Sequence, residues 1–399
     1  MTDPTVEADS TIKADSTVEA DTTVEAVTET TVEPSASAEE RVRQFLLSLG
    51  TGNEEIDAAI EDESLDLLVV DRLLIPPNPS LTPAMVSEAT GMSLENLARL
   101  WRALGFPDVA DDEVAFTELD LEAITSLQEL LSLGLVNIES TVQLTRVIGT
   151  SMARIAEAEV GVGPVIGGEM SPAQRAELFA LSADGTLPSI VRLIEYTWRR
   201  HLQAAGRRAM LTRGRAVGSS GQITLAVGFA DLVGFTAMSQ ELDQLQLAEL
   251  VDRFEALAYE TVTILQGRVV KMIGDEVMYV ADDVVQAARI AISLAEAYAD
   301  DEVLSEVRVG LAYGSVLARD GDYYGPVVNL ASRMVNITRP GRILISQEVF
   351  DALNEVAEEN GEVEFGFKSL RMRYLKDIGR VNMWSLTRPA GSSERFSLD

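Results

Sequence analysis

The chain has 399 residues, enough for two or three domains, and 46% of them are hydrophobic, enough to build real cores. Its formal net charge of −32 repels polyanions and argues against general nucleic-acid binding, so an anionic substrate would need local cations or metal ions. Cysteine is absent, which excludes disulfides and thiolate metal sites and fits a reducing compartment.

Residues 1–38 carry an imperfect six-residue repeat (TVEADS, TIKADS, TVEADT, TVEAVT) rich in Thr, Asp and Glu and free of aromatics. Such a segment cannot bury enough surface to offset chain entropy and is expected to form a disordered acidic tail. No basic stretch followed by an apolar core opens the chain, and no apolar run is long enough for a membrane span. The expectation is a soluble, cytoplasmic protein.

Residues 39–205 are expected to be helical. Val42, Phe45, Leu46 and Leu49 lie at helical spacing in Glu39–Leu49, and Leu119–Leu135, Ser140–Ala156 and Ser171–Ala204 behave likewise. Thr82-Pro83 and Ser171-Pro172 are helix starts, with a hydroxyl N-cap followed by Pro in the first turn. Pro76-Pro77-Asn78-Pro79 is a rigid break between helices. Leu81–Arg102 has the shape of a helix-turn-helix. Its second helix carries only Arg99 and Arg102 as cations and is followed by Asp108, Asp111, Asp112 and Glu113, too few positive charges to neutralise DNA phosphates. The segment is expected to serve helix packing, and no nucleic-acid partner is expected. Arg199, Arg200, Arg207, Arg208, Arg213 and Arg215 make a basic joint leading into a 206–221 linker. His201, the only histidine, lies in that joint and is a candidate regulatory residue, since imidazole titrates near neutral pH.

Residues 222–388 change character, with residues 389–399 left as a tail. Ile223, Leu225, Val227 and Phe229 alternate as in a strand, and Leu247–Leu265 has the periodicity of a helix with one buried face. Arg268–Ile273 and Glu276–Val280 are expected strands joined at Gly274-Asp275. They are followed by a helix over Val284–Ala299, a strand over Val307–Tyr313, a helix over Val327–Ile337, and further strand over Arg342–Ser346 and Ser369–Leu386. That order is the ferredoxin-like arrangement, giving an α+β chain: an all-helical N-terminal domain, then a βαββαβ domain. The fold hosts many functions, so function has to be read from particular residues.

Three blocks concentrate chemistry-bearing residues: Phe229-Ala-Asp-Leu-Val-Gly-Phe-Thr236, Val270-Lys-Met-Ile-Gly-Asp-Glu-Val277, and Asp322-Tyr-Tyr-Gly-Pro-Val-Val-Asn-Leu-Ala-Ser-Arg333. Asp231 ends one strand and Asp275 sits in the next hairpin turn, so two hard carboxylates can converge on divalent cations. Asn329 and Arg333, four residues apart on a helix, share a face. Together the blocks resemble the catalytic domain of class III nucleotidyl cyclases, and within them the adenylyl cyclases of actinobacterial type that carry an N-terminal regulatory domain. The resemblance covers roughly Gln222 to Leu386.

The resemblance implies ATP as substrate and two divalent ions per site, Mg²⁺ or Mn²⁺, held by Asp231 and Asp275 with the Leu232 carbonyl. It implies triphosphate contact by Gly234, Phe235 and Thr236, base recognition by Lys271 and Asp322, and ribose and transition-state contacts by Asn329 and Arg333. Arg342 and Lys376 are further phosphate contacts by looser correspondence. A Lys ammonium can donate to adenine N1 and an Asp can accept from the N6 amino group, whereas guanine reverses both groups. The family places metal-binding and base-reading residues of one site on different chains, which implies a homodimer. The resemblance also implies regulation by the N-terminal domain, with pH or a small apolar ligand as the signal. The alternatives are a guanylyl or diguanylate cyclase and a catalytically silent nucleotide-binding regulator.

Overall fold

The computed structural model describes residues 37–75, 78–134, 136–162, 170–183, 185–212, 222–361 and 364–389. Apart from its last two residues, the acidic repeat lies outside the described residues. So do Arg213, Arg215, most of the expected linker and the tail beyond residue 389. The helical part runs α1 (Ala38–Ser48), α2 (Asn53–Glu61), α3 (Leu65–Leu74), α4 (Pro83–Thr90), α5 (Leu94–Leu104), α6 (Glu118–Ser132), α7 (Ile138–Val162), α8 (Pro172–Ser182) and α9 (Thr186–Thr212). Among the described residues no helix is long and apolar enough to cross a membrane.

The chain divides into two compact units, Met1–Pro76 with Gly167–Ala183, and Pro77–Ile166 with Asp184–Asp399. In the first, α1, α2, α3 and α8 close over Val42, Leu46, Ile56, Leu65, Val69 and Ala176, and Arg175 ties α8 to Asp66 at 2.7 Å. In the second, α4, α5, α6 and α7 enclose Val86, Leu97, Leu100, Phe116 and Ile124. The expected caps form: Met85 N–H donates to Thr82 Oγ1 at 3.2 Å, and Gln174 N–H donates to Ser171 Oγ at 3.3 Å. The helix-turn-helix shape is present, with Gly91 left-handed at the end of α4. Arg102 donates to Asp108 at 3.0 Å and Arg99 lies 4.0 Å from Glu139, so both of its cations face carboxylates of the chain itself.

One expected helix is two. Ser171–Ala204 breaks between Ser182 and Thr186, because Asp184-Gly185 interrupts the pattern and Pro188 is tolerated only in the first turn of a new helix. Of these two helices, α9 falls in the unit that contains the C-terminal part of the chain, and α8 in the other.

That part runs β1 (Gln222–Leu232), α10 (Phe235–Glu241), α11 (Gln244–Ile264), β2 (Arg268–Ile273), β3 (Glu276–Ala281), α12 (Val284–Ala299), β4 (Val307–Arg319), β5 (Asp322–Tyr324), α13 (Pro326–Ile337), β6 (Ile343–Ser346), α14 (Gln347–Asn360), β7 (Gly366–Ser369), β8 (Arg373–Leu375), β9 (Gly379–Val381) and β10 (Met383–Thr387). The main sheet has the order β2-β3-β1-β4-β6-β10-β7. Its first four strands are antiparallel neighbours, the ferredoxin-like core, and β6 adds to β4 in parallel. The expected strand Ser369–Leu386 is interrupted. β8 and β9 form a separate two-stranded ribbon turning at Asp377 and Gly379, both with positive φ.

Strand alternation gives the sheet two faces. Ala226, Ala230, Val277 and Tyr279 point to the side covered by α11 and α12. Leu225, Val227, Phe229, Met278 and Val280 point to the side covered by α13. By the same alternation Asp231 and Glu276, directly opposite each other on β1 and β3, share the α13 side.

Candidate active site

The three sequence blocks converge at one end of the sheet on this α13 face. A cleft of about 520 Å³ is lined by Phe229, Met278 and Glu276 on the sheet, Lys271 and Ile273 on β2, and Val328, Asn329, Ser332 and Arg333 on α13. Lys376, Asp377 and Ile378 of the β8–β9 turn close its side. Helical spacing places Asn329 and Arg333 on the cleft side of α13. Arg333 lies 3.7 Å from Asp377, a solvent-exposed pair of little strength. Lys376, matched only loosely from sequence, joins the same wall.

Lys271 Nζ donates to Asp322 Oδ2. The two belong to strands that are not neighbours in the sheet, so the contact is made across its face. Asp322 also accepts from the Tyr323 N–H at 2.8 Å, which leaves its carboxylate with two defined donors.

Beyond the cleft the strand ends gather carboxylates. Leu232 N–H donates to the Asp275 carbonyl at 3.0 Å, which brings the β2–β3 turn against the end of β1. Asp231 and Asp275 are thereby neighbours, and Glu276 sits opposite Asp231. Burial and then the Asp275 charge hold the Asp231 carboxyl above its usual range, partly offset by Arg308. Burial and then Asp231 and Asp275 push Glu276 up to about 7. Arg308, opposite Asp231 on β4, approaches it at 3.8 Å, and its buried Nε has no hydrogen-bond partner. Excess negative charge confined in this way suits a divalent cation. Among the described residues no group of three or more His, Cys, Asp or Glu side chains closes around a metal.

Gly234 adopts the left-handed conformation (φ 77°) that starts α10 at Phe235 and Thr236. Arg342 is exposed in the loop before β6. Its carbonyl accepts from Val309 N–H at 3.0 Å, which puts it at the same end of the sheet as Asp231 but outside the cleft lining. His201 is exposed on α9, also outside the cleft. Sequence reasoning passed over Glu276 and Arg308. Their signals were a second acid beside Asp275 and a lone cation interrupting the apolar run of β4.

Residues 218–387 match the adenylate and guanylate cyclase catalytic domain, and residues 20–161 match the adenylate cyclase regulatory domain. An adenylate cyclase of Streptomyces coelicolor is 33% identical over 362 residues, covering 84% of this chain and 93% of that protein. One from Glutamicibacter nicotianae is 34% identical over 323 residues, covering 77% and 78%. A pH-sensitive adenylate cyclase of Mycobacterium tuberculosis is 30% identical over 361 residues, covering 87% of each. With the catalytic-domain match falling on the segment that builds the cleft, and relatives aligned along most of its length, the chain belongs to the adenylate cyclase family.

Proposed function

We propose that this chain converts ATP to 3′,5′-cyclic AMP and pyrophosphate at sites shared between two copies of itself. The observations that carry this reading are the Lys271–Asp322 pair, the cleft that Lys271 lines together with Asn329 and Arg333, and the gathering of Asp231, Asp275 and Glu276 at the strand ends. Asp231 and Asp275, with the Leu232 carbonyl, would hold divalent cations, Mg²⁺ or Mn²⁺, two to a site. Bound there, such ions lower the pKa of the ribose 3′-hydroxyl and screen the triphosphate.

The remaining roles belong to side chains. Lys271 donates to adenine N1 and Asp322 accepts from the N6 amino group, so guanine would leave both groups mispaired. Asn329 orients the ribose. A new bond forms between the 3′ oxygen and the α-phosphorus as the bond to the β-phosphate breaks, releasing pyrophosphate and the hydroxyl proton. Arg333, always charged and able to donate two parallel hydrogen bonds, exchanges its exposed Asp377 partner for the oxygens on which charge develops. Gly234 lets the backbone N–H groups of Phe235 and Thr236 approach the phosphates, and Lys376 and Arg342 add cations.

Each complete site takes its carboxylates from one copy and its base-reading and transition-state residues from the other. The N-terminal region sets activity by changing how the two copies meet, in response to pH through groups such as His201 or to a small apolar ligand. Removing residues 1–205 should then change the rate several-fold.

The shared-site reading is tested by mixing. Asp275→Ala and Arg333→Ala chains should each be nearly inactive with ATP, and mixed dimers should recover activity through one intact site. Verified mixed dimers without recovery would contradict the scheme, and product from GTP but not ATP would reverse the substrate assignment.

A further inference from the structure

Arg268 lies outside the motif residues, yet the fold directs it to the same strand as Asp322. It sits on β2 three residues before Lys271. In a regular strand residues three apart face opposite sides. The β2–β3 ladder pairs Arg268 with Val280 and Lys271 with Met278, so four residues of β2 lie against three of β3 and the register shifts between Val269 and Lys271. The bulge turns both cations to the face that carries Met278 and Val280.

On that face the two cations meet consecutive residues of β5. Lys271 donates to Asp322. Arg268 Nη1 donates to Tyr323 Oη at 2.7 Å, and its Cζ lies 5.8 Å from the Tyr323 ring centroid. Arg268 Nη2 donates to Asp282 Oδ1 at 3.0 Å, which anchors the guanidinium beyond the end of β3. Tyr323 in turn donates its N–H to Asp322 Oδ1 at 2.8 Å. β5 needs this support. It is three residues long, lies off the main path of the sheet and pairs with β4 alone among the described strands, after a turn with positive φ at Asp320 and Gly321.

We propose that Arg268 is a positioning residue for purine selection: through Tyr323 it holds the Asp322 carboxylate in register with Lys271. This rests on the reading of Lys271 and Asp322 as the pair that contacts the base. A carboxylate held at one place discriminates between an amino group and a carbonyl; one that swings with its hairpin can retreat from the wrong partner and let water satisfy it. The bulge makes the device possible, since without it Lys271 and Arg268 would not both reach β5.

The experiment measures affinity of the full chain for 3′-deoxy-ATP and 3′-deoxy-GTP, which lack the attacking hydroxyl, together with kcat and KM for ATP and the melting temperature. Arg268→Met keeps the stem and removes the donors. Tyr323→Phe removes one oxygen and keeps the ring, and so tests the same link even if the first variant folds poorly. Each should lower the ratio of adenine to guanine affinity by about ten-fold, by easing the penalty on guanine as well as weakening adenine binding, with KM for ATP rising rather than kcat falling. The double variant should be no worse than either single one, because both cut the same link. Arg268→Lys should restore part of the ratio. Asp322→Asn separates this inference from its premise. If Asp322→Asn collapses selectivity while Arg268→Met and Tyr323→Phe leave it intact, the positioning role is wrong and the base-reading assignment stands. If Asp322→Asn also leaves selectivity intact, both fall. A merely structural contact would lower the melting temperature without moving the ratio, and that result also overturns the proposal.

Discussion

Gly310 offers a sharp test of how the fold sets the position of the cleft wall. It sits on β4 under α13, and a Cβ built there would lie 2.4 Å from the Ala331 carbonyl oxygen, 2.9 Å from the Val335 nitrogen and 3.1 Å from the Met334 Cβ. Ordinary contact begins near 3.4 Å, so Gly310→Ala is short of room by about 1 Å against helix backbone that cannot rotate away. β4 is held between β1 and β6, so α13 must yield. Asn329 and Arg333 ride on that helix. A misplacement of about 1 Å can cost about 100-fold in rate, equivalent to about 2.7 kcal/mol in the barrier, and overpacking costs about 1–3 kcal/mol of stability. Steady-state kinetics with ATP should show kcat falling far more than KM changes, given the transition-state roles proposed for these two side chains. Gly228→Ala is the control. Its Cβ would lie 2.1 Å from the Tyr279 ring on the opposite face, so it should destabilise the protein without moving α13. A Gly310→Ala protein that folds and keeps its full kcat would refute the idea that α13 is seated by this close approach.

Other outcomes follow from local chemistry. Burial raises the Asp301 carboxyl, but the Leu304 and Val303 N–H groups, each at 2.9 Å, and Arg253 outweigh it and hold its pKa below the usual range. Asp301 therefore stabilises the fold above its unfolded pKa of about 3.9, and that contribution is lost as pH falls through the lower folded value. Asp301→Asn should lower the melting temperature at neutral pH, and the gap should close in acid; a gap constant with pH would contradict the sign. Thr117 and Asp120 form a reciprocal cap at the start of α6, so Thr117→Ala should cost about 1 kcal/mol and speed amide exchange in that first turn. Unchanged protection there would show that the cap is idle. Tyr298, buried, donates to the Phe254 carbonyl at 2.7 Å, and Tyr298→Phe should cost about 1 kcal/mol in urea unfolding. An equal midpoint for the two proteins would mean that the bond contributes nothing net.

Much of the candidate site was legible in the sequence because it resides in short, contiguous signals. The Asp231 block, the Gly274-Asp275 turn and the Asn329/Arg333 spacing each occupy a strand end, a hairpin or a helix face whose local period can be read from the chain. Residues whose role depends on a non-neighbouring strand were not legible. Arg308 acquires its meaning from the β1–β4 ladder that puts it across from Asp231, and Arg268 acquires its from a bulge with no distinctive residue at Val270. The break before α9 was masked by helical periodicity continuing on both sides.

By itself the amino-acid order determined the α+β class, the helical start and ferredoxin-like end of the chain, and which carboxylates and cations are candidates for one site. These follow from periodicity, caps and turn chemistry, which act over a few residues. Only the tertiary structure decided that Lys271 reaches Asp322 across the sheet, that Glu276 joins Asp231 and Asp275, and that Lys376 closes the cleft while Arg342 and His201 stand outside its lining. Those outcomes depend on ladder register, on one bulge and on the angle of a hairpin. Each is set by packing between segments far apart in the chain.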